Sequence, residues 1–118
     1  MANTSVIRLG GKTVALSVIG TAHTPVALTS NTNDQITYVS AMNVGSTSVA
    51  IRFSTIITDV PVFPVDGTPG DFVLPPLMEF PIVFACPPIG NKYTTYVMAI
   101  GSSASPTLVY ITAIADQT

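Results

Sequence analysis

The stretch from Gln35 to Ile57 most constrains what this chain can fold into, because apolar side chains recur in it at every second position. On either side of a glycine-containing connection at residues 45–47 these side chains share one face: Ile36, Tyr38, Met42 and Val44 before it, with Ser40 interrupting, and Val49, Ile51 and Phe53 after it. Such alternation around a glycine is typical of an antiparallel hairpin. The sequence therefore predicts two strands here that pair with each other.

The same alternation continues along the rest of the chain. It predicts further strands at residues 3–9, 12–19, 26–30, 82–86, 93–100 and 107–115. No segment combines apolar residues at helical spacing with a cap. We therefore expect an all-β fold, a single β-sandwich or jelly roll of about eight antiparallel strands with no substantial helix. At 118 residues the chain is expected to form one domain over residues 1–118.

Turn-forming residues mark the predicted connections. Gly10 and Gly11 accept positive backbone dihedral angles without steric cost, which suits a tight hairpin turn after the first strand. Asn and Asp cluster at residues 31–34, where their side chains can hydrogen-bond nearby backbone amides. Further turns are predicted at residues 87–92, which begin with two prolines, and at residues 101–106.

Residues 58–81 differ from the rest, because prolines repeatedly interrupt an apolar sequence. Proline removes a backbone donor, so this segment cannot be a central strand throughout, yet it is too apolar for disorder. We expect an ordered crossing segment with one or two short edge strands and a turn at residues 66–71. Two interpretations stay open: a rigid Greek-key connection that packs on its own body, or an apolar loop that docks on a partner.

The second interpretation supplies the candidate partner contacts, which are Phe63, Val65, Phe72, Leu77 and Phe80. Under the first interpretation the same side chains belong to the core. Only 8% of the residues are charged, against about 25% in typical soluble domains. Such a surface has little charge to keep like molecules apart. We therefore expect part of it to be buried against other subunits, since exposed apolar area is usually interaction surface.

The last two predicted strands are apolar on both faces, as strands are when both faces are covered. A neighbouring subunit is a plausible second cover in a chain without helices. Arg52 points away from Ile51 and Phe53. It is interpreted as a solvated residue that discourages edge pairing, with an intersubunit ion pair as the alternative.

Several function classes are excluded by composition. The formal net charge is -2 and the four cations are scattered, whereas a nucleic-acid binder clusters several on one face. No apolar run reaches the roughly 18 residues of a membrane-spanning helix. Residues 8–22 are interpreted as a strand, not as a signal peptide, because their apolar core is short.

No group of residues with recognisable chemistry emerges, and we expect no enzyme activity, cofactor or metal. Cys86 is alone, so it allows no internal disulfide; it favours synthesis in a reducing cytoplasm and is interpreted as a small buried hydrophobe. His23 is the only histidine, and no nucleophile motif marks a partner for it. Asp66 and Asp71 flank a glycine-containing turn that lacks the alternating acids of a calcium loop.

The closing half of the chain carries a resemblance to a known family. Its features are residues 73–76 (VLPP), 96–103 (YVMAIGSS) and 108–112 (LVYIT). They resemble small β-sandwich virion proteins of tailed bacteriophages, especially those that decorate or cement the capsid. The resemblance implies a non-enzymatic structural protein that binds the major capsid protein of the assembled lattice, often as a homo-oligomer. It also implies synthesis in the host cytoplasm and a final place on the virion.

Two other classes stay open. A carbohydrate- or receptor-binding adhesion module would present exposed aromatic platforms, whereas the four tyrosines fall inside predicted strands and tryptophan is absent. A tail or head–tail accessory subunit would share the low charge of a decoration protein. The sequence therefore leaves the position on the virion open.

Overall fold

The computed structural model describes residues 9–22, 25–28, 36–89 and 94–114. The regular elements in these ranges are strands, namely β1 (Leu9–Val18), β2 (Val26–Leu28), β3 (Ile36–Asn43), β4 (Val49–Ser54), β5 (Phe72–Leu74), β6 (Ile82–Ile89), β7 (Thr95–Gly101) and β8 (Thr107–Ile114). No helix in these ranges is long and apolar enough to cross a membrane. The predictions for residues 3–8, 31–34 and His23 lie outside the described residues.

The strands form two antiparallel sheets, in the orders β1-β8-β3-β6 (the first sheet) and β2-β7-β4-β5 (the second sheet). Within these sheets β1 pairs with β8, β2 with β7, β3 with β6 and β4 with β5. The first four strands thus pair in reverse order with the last four, as in one long antiparallel hairpin, and this hairpin folds back on itself to form the two sheets. This is the arrangement of an eight-stranded jelly roll. The prediction of an all-β sandwich or jelly roll is confirmed.

The core lies between the two sheets and takes alternate residues from most strands. Its buried members include Leu16, Val18, Val39, Ala41, Val49, Ile51, Leu74, Val97, Ala99, Val109 and Ile111. Because successive side chains of a strand point to opposite faces, one face of each sheet fills this core and the other faces outward. Each apolar residue on an outer face therefore requires a separate explanation.

The predicted hairpin between β3 and β4 is wrong. The two strands belong to different sheets, and residues 44–48 carry the chain across the sandwich. The predicted apolar face of β3 is also the outer one, since Tyr38 and Val44 are exposed whereas Val39, Ala41 and Asn43 are fully buried. Both faces of β3 carry apolar residues, and the polar Asn43 is buried because hydrogen bonds satisfy its amide. Alternation alone does not show which face of β3 points into the core.

Two predicted turns are strands instead. β1 runs through Gly10 and Gly11, and its register against β8 shifts between Leu9 and Thr13, so the glycines accompany a β-bulge. β6 runs through Pro87 and Pro88. Prolines are tolerated there because β6 is an edge strand, where a missing N–H can face away from the ladder. The predicted edge strand in the proline-rich segment is confirmed as β5, at the edge of the second sheet.

The expected second cover for β7 comes from the chain itself. Met98 and Ile100 lie on the outer face of the second sheet, opposite Val97 and Ala99, and both are buried within the monomer. The expectation of a neighbouring subunit is therefore wrong for β7. On β8 the corresponding outer residue Tyr110 stays exposed.

Replacing Gly45 by alanine is expected to destabilise the fold. A Cβ atom at Gly45 would lie 2.6 Å from the Cβ and 2.8 Å from the Cα of Thr107 in β8. Because the Cα belongs to the backbone, a rotamer change does not relieve this clash. Overpacking of this kind lowers the free energy of unfolding by about 1–3 kcal/mol, which urea denaturation measures.

The matched control is Gly67→Asn. Gly67 has a φ of 79°, and a Cβ atom added there would meet nothing within 4 Å. Asparagine tolerates left-handed geometry better than most side chains and meets no neighbour here, so the loss is expected to be smaller than in Gly45→Ala. An unchanged unfolding midpoint in Gly45→Ala would contradict the packing of the 44–48 connection on β8.

Candidate partner-binding surface

Residues 55–71, here called the outer segment, are held over the outer face of the second sheet by ion pairs. Arg52 points outward from β4, and its Nε donates a hydrogen bond to Asp71 Oδ1 at 2.9 Å, while one of its terminal nitrogens lies 3.7 Å from Asp59 Oδ2. The hydrogen bond to Asp71 raises the pKa of Arg52 above its ordinary value. Arg52 is thus an intrachain partner, which corrects both interpretations made from the sequence.

The outer segment also covers apolar residues of the sheet beneath it. Ala50 lies opposite Ile100 and Arg52 opposite Met98 in the β4–β7 ladder. Ala50 and Met98 are fully buried on this outer face, and Pro61 of the outer segment is fully buried as well. The interpretation of a rigid connection that packs on its own body is therefore right for the inner side of this segment.

Internal hydrogen bonds make the outer segment compact. The N–H of Val62 donates to Asp71 Oδ2 at 2.7 Å, and the N–H of Asp71 donates to the Val62 carbonyl at 2.7 Å. Val65 and Thr68 exchange backbone hydrogen bonds around the predicted turn. The loop is thus hydrogen-bonded both at its base, Val62 and Asp71, and at its tip, Val65 and Thr68. Its outward side chains therefore lie on a defined backbone.

Residues 75–81, here called the edge connection, join β5 to β6 across one side of the sandwich. The N–H of Leu77 donates to the Gly45 carbonyl and that of Met78 to the Asn43 carbonyl, both at 2.9 Å. Asn43 Nδ2 donates to the Pro75 carbonyl at 3.1 Å. The edge connection is therefore held directly on the 44–48 connection between the sheets.

Leu77 occupies a conformation that leucine rarely adopts. Its φ is 55°, and it is the one described non-glycine residue with a positive φ. Such backbone costs of order 1–3 kcal/mol and persists where the surroundings enforce it, often at functional positions. Here the strained residue leaves 69% of an apolar side chain exposed, and Phe80 beside it is 76% exposed.

An aromatic group closes the side of the sandwich between β5 and β6. The ring of Phe84 lies 5.0 Å from that of Phe72 in an edge-to-face arrangement and 5.8 Å from that of Phe53. Such pairs add about 0.5–1.5 kcal/mol beyond the area they bury. Phe72 nevertheless remains 51% exposed. We call Phe72, Leu77 and Phe80 the edge patch.

The structure divides the five predicted contact residues between two places. Phe72, Leu77 and Phe80 lie on β5 and the edge connection, whereas Phe63 and Val65 lie in the outer segment. Val65 is exposed and Phe63 is half-buried. Exposed apolar residues that the sequence analysis did not single out are Ile56, Ile57, Val60, Val62 and Val83. Their apolar character was visible, but the pattern did not show which of them face outward.

Asp71 and Cys86, two further groups considered in the sequence analysis, both make contacts within the fold. One carboxylate oxygen of Asp71 accepts a hydrogen bond from Arg52, and the other accepts one from the Val62 N–H. In the part of the chain that the structure describes, no three His, Cys, Asp or Glu side chains group around a metal position. Cys86 is half-buried, and burial raises the pKa of its thiol to about 11. It packs against the core.

No protein-family model matches this chain, and no curated protein or solved structure matches it.

Replacing Asp71 by alanine is expected to loosen the outer segment. The change leaves the Val62 N–H and the Arg52 Nε without their acceptor, and hydrogen bonds to charged groups contribute about 1.5–3 kcal/mol. We expect a loss of this size in urea denaturation and faster cleavage at residues 55–71 in limited proteolysis. Asp66→Ala, at an exposed turn position, should change neither; equal cleavage of both variants would contradict the clamping role.

Cys86 is expected to react slowly with iodoacetamide in the folded protein. A rise of its pKa from 9.0 to about 11 leaves on the order of 100-fold less thiolate near pH 8. Because burial favours the protonated thiol, the associated stability is present below pH 9.0 and is lost as the pH rises towards about 11. Alkylation followed by mass spectrometry should be slow in buffer and fast in urea; equal rates would rule out the protected thiol.

Proposed function

We propose that this protein is a non-enzymatic virion structural protein that decorates or cements a capsid. The observation that carries the proposal is the edge patch, a set of three apolar side chains that stay exposed on β5 and the edge connection. Exposed apolar patches of this kind mark interaction sites on soluble proteins. The jelly roll occurs among viral capsid domains and lectins, so the fold is compatible without choosing between them.

The edge patch is pre-organised for binding. The backbone at Leu77 and Met78 is fixed by hydrogen bonds to the 44–48 connection, and Phe72 is fixed by the ring of Phe84. Little conformational freedom is therefore lost when these side chains meet a partner, and that saving appears as affinity. Apolar burial at about 25 cal/mol per Å² then supplies the driving force.

A capsid lattice suits this surface better than a single soluble partner. The protein would bridge neighbouring major capsid proteins, so a modest contact repeats at many equivalent sites. With only 8% charged residues, neighbouring copies on the shell repel each other little. The proposed partners are thus capsid subunits and adjacent copies of this chain.

Substitutions in the edge patch are expected to reduce capsid binding without unfolding the protein. The first measurement is co-sedimentation of the purified protein with capsids of its virus assembled without it. Leu77→Gly relieves the positive φ and removes the side chain, so it should leave the fold at least as stable while weakening binding at least about tenfold. Phe80→Ser should weaken binding similarly.

The matched control is Ile19→Ser, which removes an exposed apolar side chain at a site remote from the edge patch along the chain. It should bind as the wild type does. Stoichiometric binding by the wild type would support the proposal, and absence of binding by a folded wild type would reject it. If alanine at both Phe63 and Phe72 leaves folding and binding unchanged, the contacts lie elsewhere.

A carbohydrate-binding module is the second candidate, because two tyrosines are exposed on the first sheet. Tyr38 and Tyr110 are each 39% exposed. Their ladder partners place them four residues apart along the strands, about 13 Å by strand geometry, so they are separate rings and not one stacking platform. A glycan array with the isolated protein tests this candidate; a tail or head–tail role would instead show low-copy association with a tail complex.

A further inference from the structure

We propose that the outer face of the first sheet is the contact surface of a twofold dimer of this chain. This surface is distinct from the edge patch, and the proposal concerns the free protein, so it does not depend on capsid binding. We call it the flat face. Its described members come from all four strands of the sheet: Thr13, Ala15, Ser17, Tyr38, Ser40, Met42, Val83, Ala85, Leu108, Tyr110, Thr112 and, at one end where the face is buried, Ile114.

The strand registers place these side chains in continuous rows. One row runs through Thr13, Thr112, Ser40 and Val83, and the next joins Ala15, Tyr110 and Met42. Tyr110 and Val83 are exposed, and no described segment buries them as the outer segment buries the second sheet. Among the described residues the two outer faces thus differ: the outer segment covers the second sheet, whereas the flat face stays exposed at Tyr110 and Val83 and is buried at Ile114.

The chemistry of the flat face favours a second copy as its occupant. None of its described members is charged, whereas Arg52, Asp59 and Asp71 lie on the opposite side of the sandwich. A face without charges can meet its own copy without opposing like charges, and it offers no electrostatic complement to a charged partner. Interface cores are enriched in Tyr and Met and depleted of Lys, Asp and Glu, which matches this face, and depleted of Ser and Ala, which supply four of its members.

One pair of hydroxyl groups on the flat face is hydrogen-bonded within the sheet. The hydroxyls of Thr13 and Thr112 hydrogen-bond to each other at 2.7 Å across the β1–β8 ladder. A hydroxyl that already has a partner loses less when water is removed than one without. This pair can therefore be dehydrated against a second copy at smaller cost than two unpaired hydroxyls.

The size of the flat face reaches what a dimer needs. Four strands about 4.8 Å apart and about seven residues long span roughly 20 by 24 Å. With side-chain relief, two such faces bury on the order of 1,000 Å² in total, the lower bound of specific interfaces. Sheets stack about 10 Å apart with strands nearly aligned, so the dimer would be a four-layer stack of sheets.

Sedimentation equilibrium of the full chain without capsids tests the dimer. We expect the wild type to have twice the monomer mass at about 100 μM, since small interfaces are weak. Tyr110→Lys places equal charges in the two opposing faces and should weaken dimerisation at least about tenfold. Ala15→Lys, at an exposed position of edge strand β1, repeats the test if Tyr110→Lys does not fold.

Val65→Lys is the control, because it adds the same charge to an exposed apolar site in the outer segment. It should dimerise as the wild type does. A monomeric wild type overturns the proposal, as does a dimer that survives both flat-face charges. A monomer whose glycan binding is lost in Tyr110→Lys would assign the face to carbohydrate instead. None of these results bears on capsid binding, so the two proposals fail separately.

Discussion

The fold depends on one buried amide, that of Asn43. Its Oδ1 accepts hydrogen bonds from the Gly45 N–H and the Thr107 hydroxyl, and its Nδ2 donates to the carbonyls of Thr47 and Pro75. Every hydrogen-bonding position of the side chain is therefore used, as a fully buried amide requires. These bonds join the end of β3, the connection between the sheets, the start of β8 and the edge connection. An apolar residue here would leave several buried partners unsatisfied.

The same amide explains which parts of the fold the sequence predicts. Period-two alternation locates most strands, because β-sheet geometry imposes that period locally. Strand pairing is not local. β3 carries apolar residues on both faces, so alternation does not show which face is buried. The side chain that holds the connection towards the second sheet, Asn43, is polar. From the sequence alone Asn43 has no assigned role, and only its distant partners Pro75 and Thr107 explain its burial. The glycine and proline turns failed likewise, since a bulge and an edge strand accept the same residues as a turn.

The candidate surface was predictable in composition but not in orientation. Prolines and apolar residues marked residues 58–81 as an ordered, unusual segment. The structure shows that the segment has two sides, with Pro61 buried over the second sheet while Val65 stays exposed. Arg52 decides the orientation, because its partners Asp59 and Asp71 lie on the segment that covers it. An ion pair between residues this far apart in sequence has no periodic signature.

The doubled hairpin has a consequence for the order in which the chain folds. Pairing of β4 with β5 closes the shortest loop, whereas pairing of β1 with β8 joins the two ends of the described chain. Closing a long loop costs more entropy, so the jelly roll is expected to zip from the β4–β5 end towards the termini. On the ribosome the first sheet cannot be completed until its last strand has emerged, because β8 lies between β1 and β3. The Arg52–Asp71 clamp, which spans the β4–β5 end, would then stabilise the nucleus from which zipping starts.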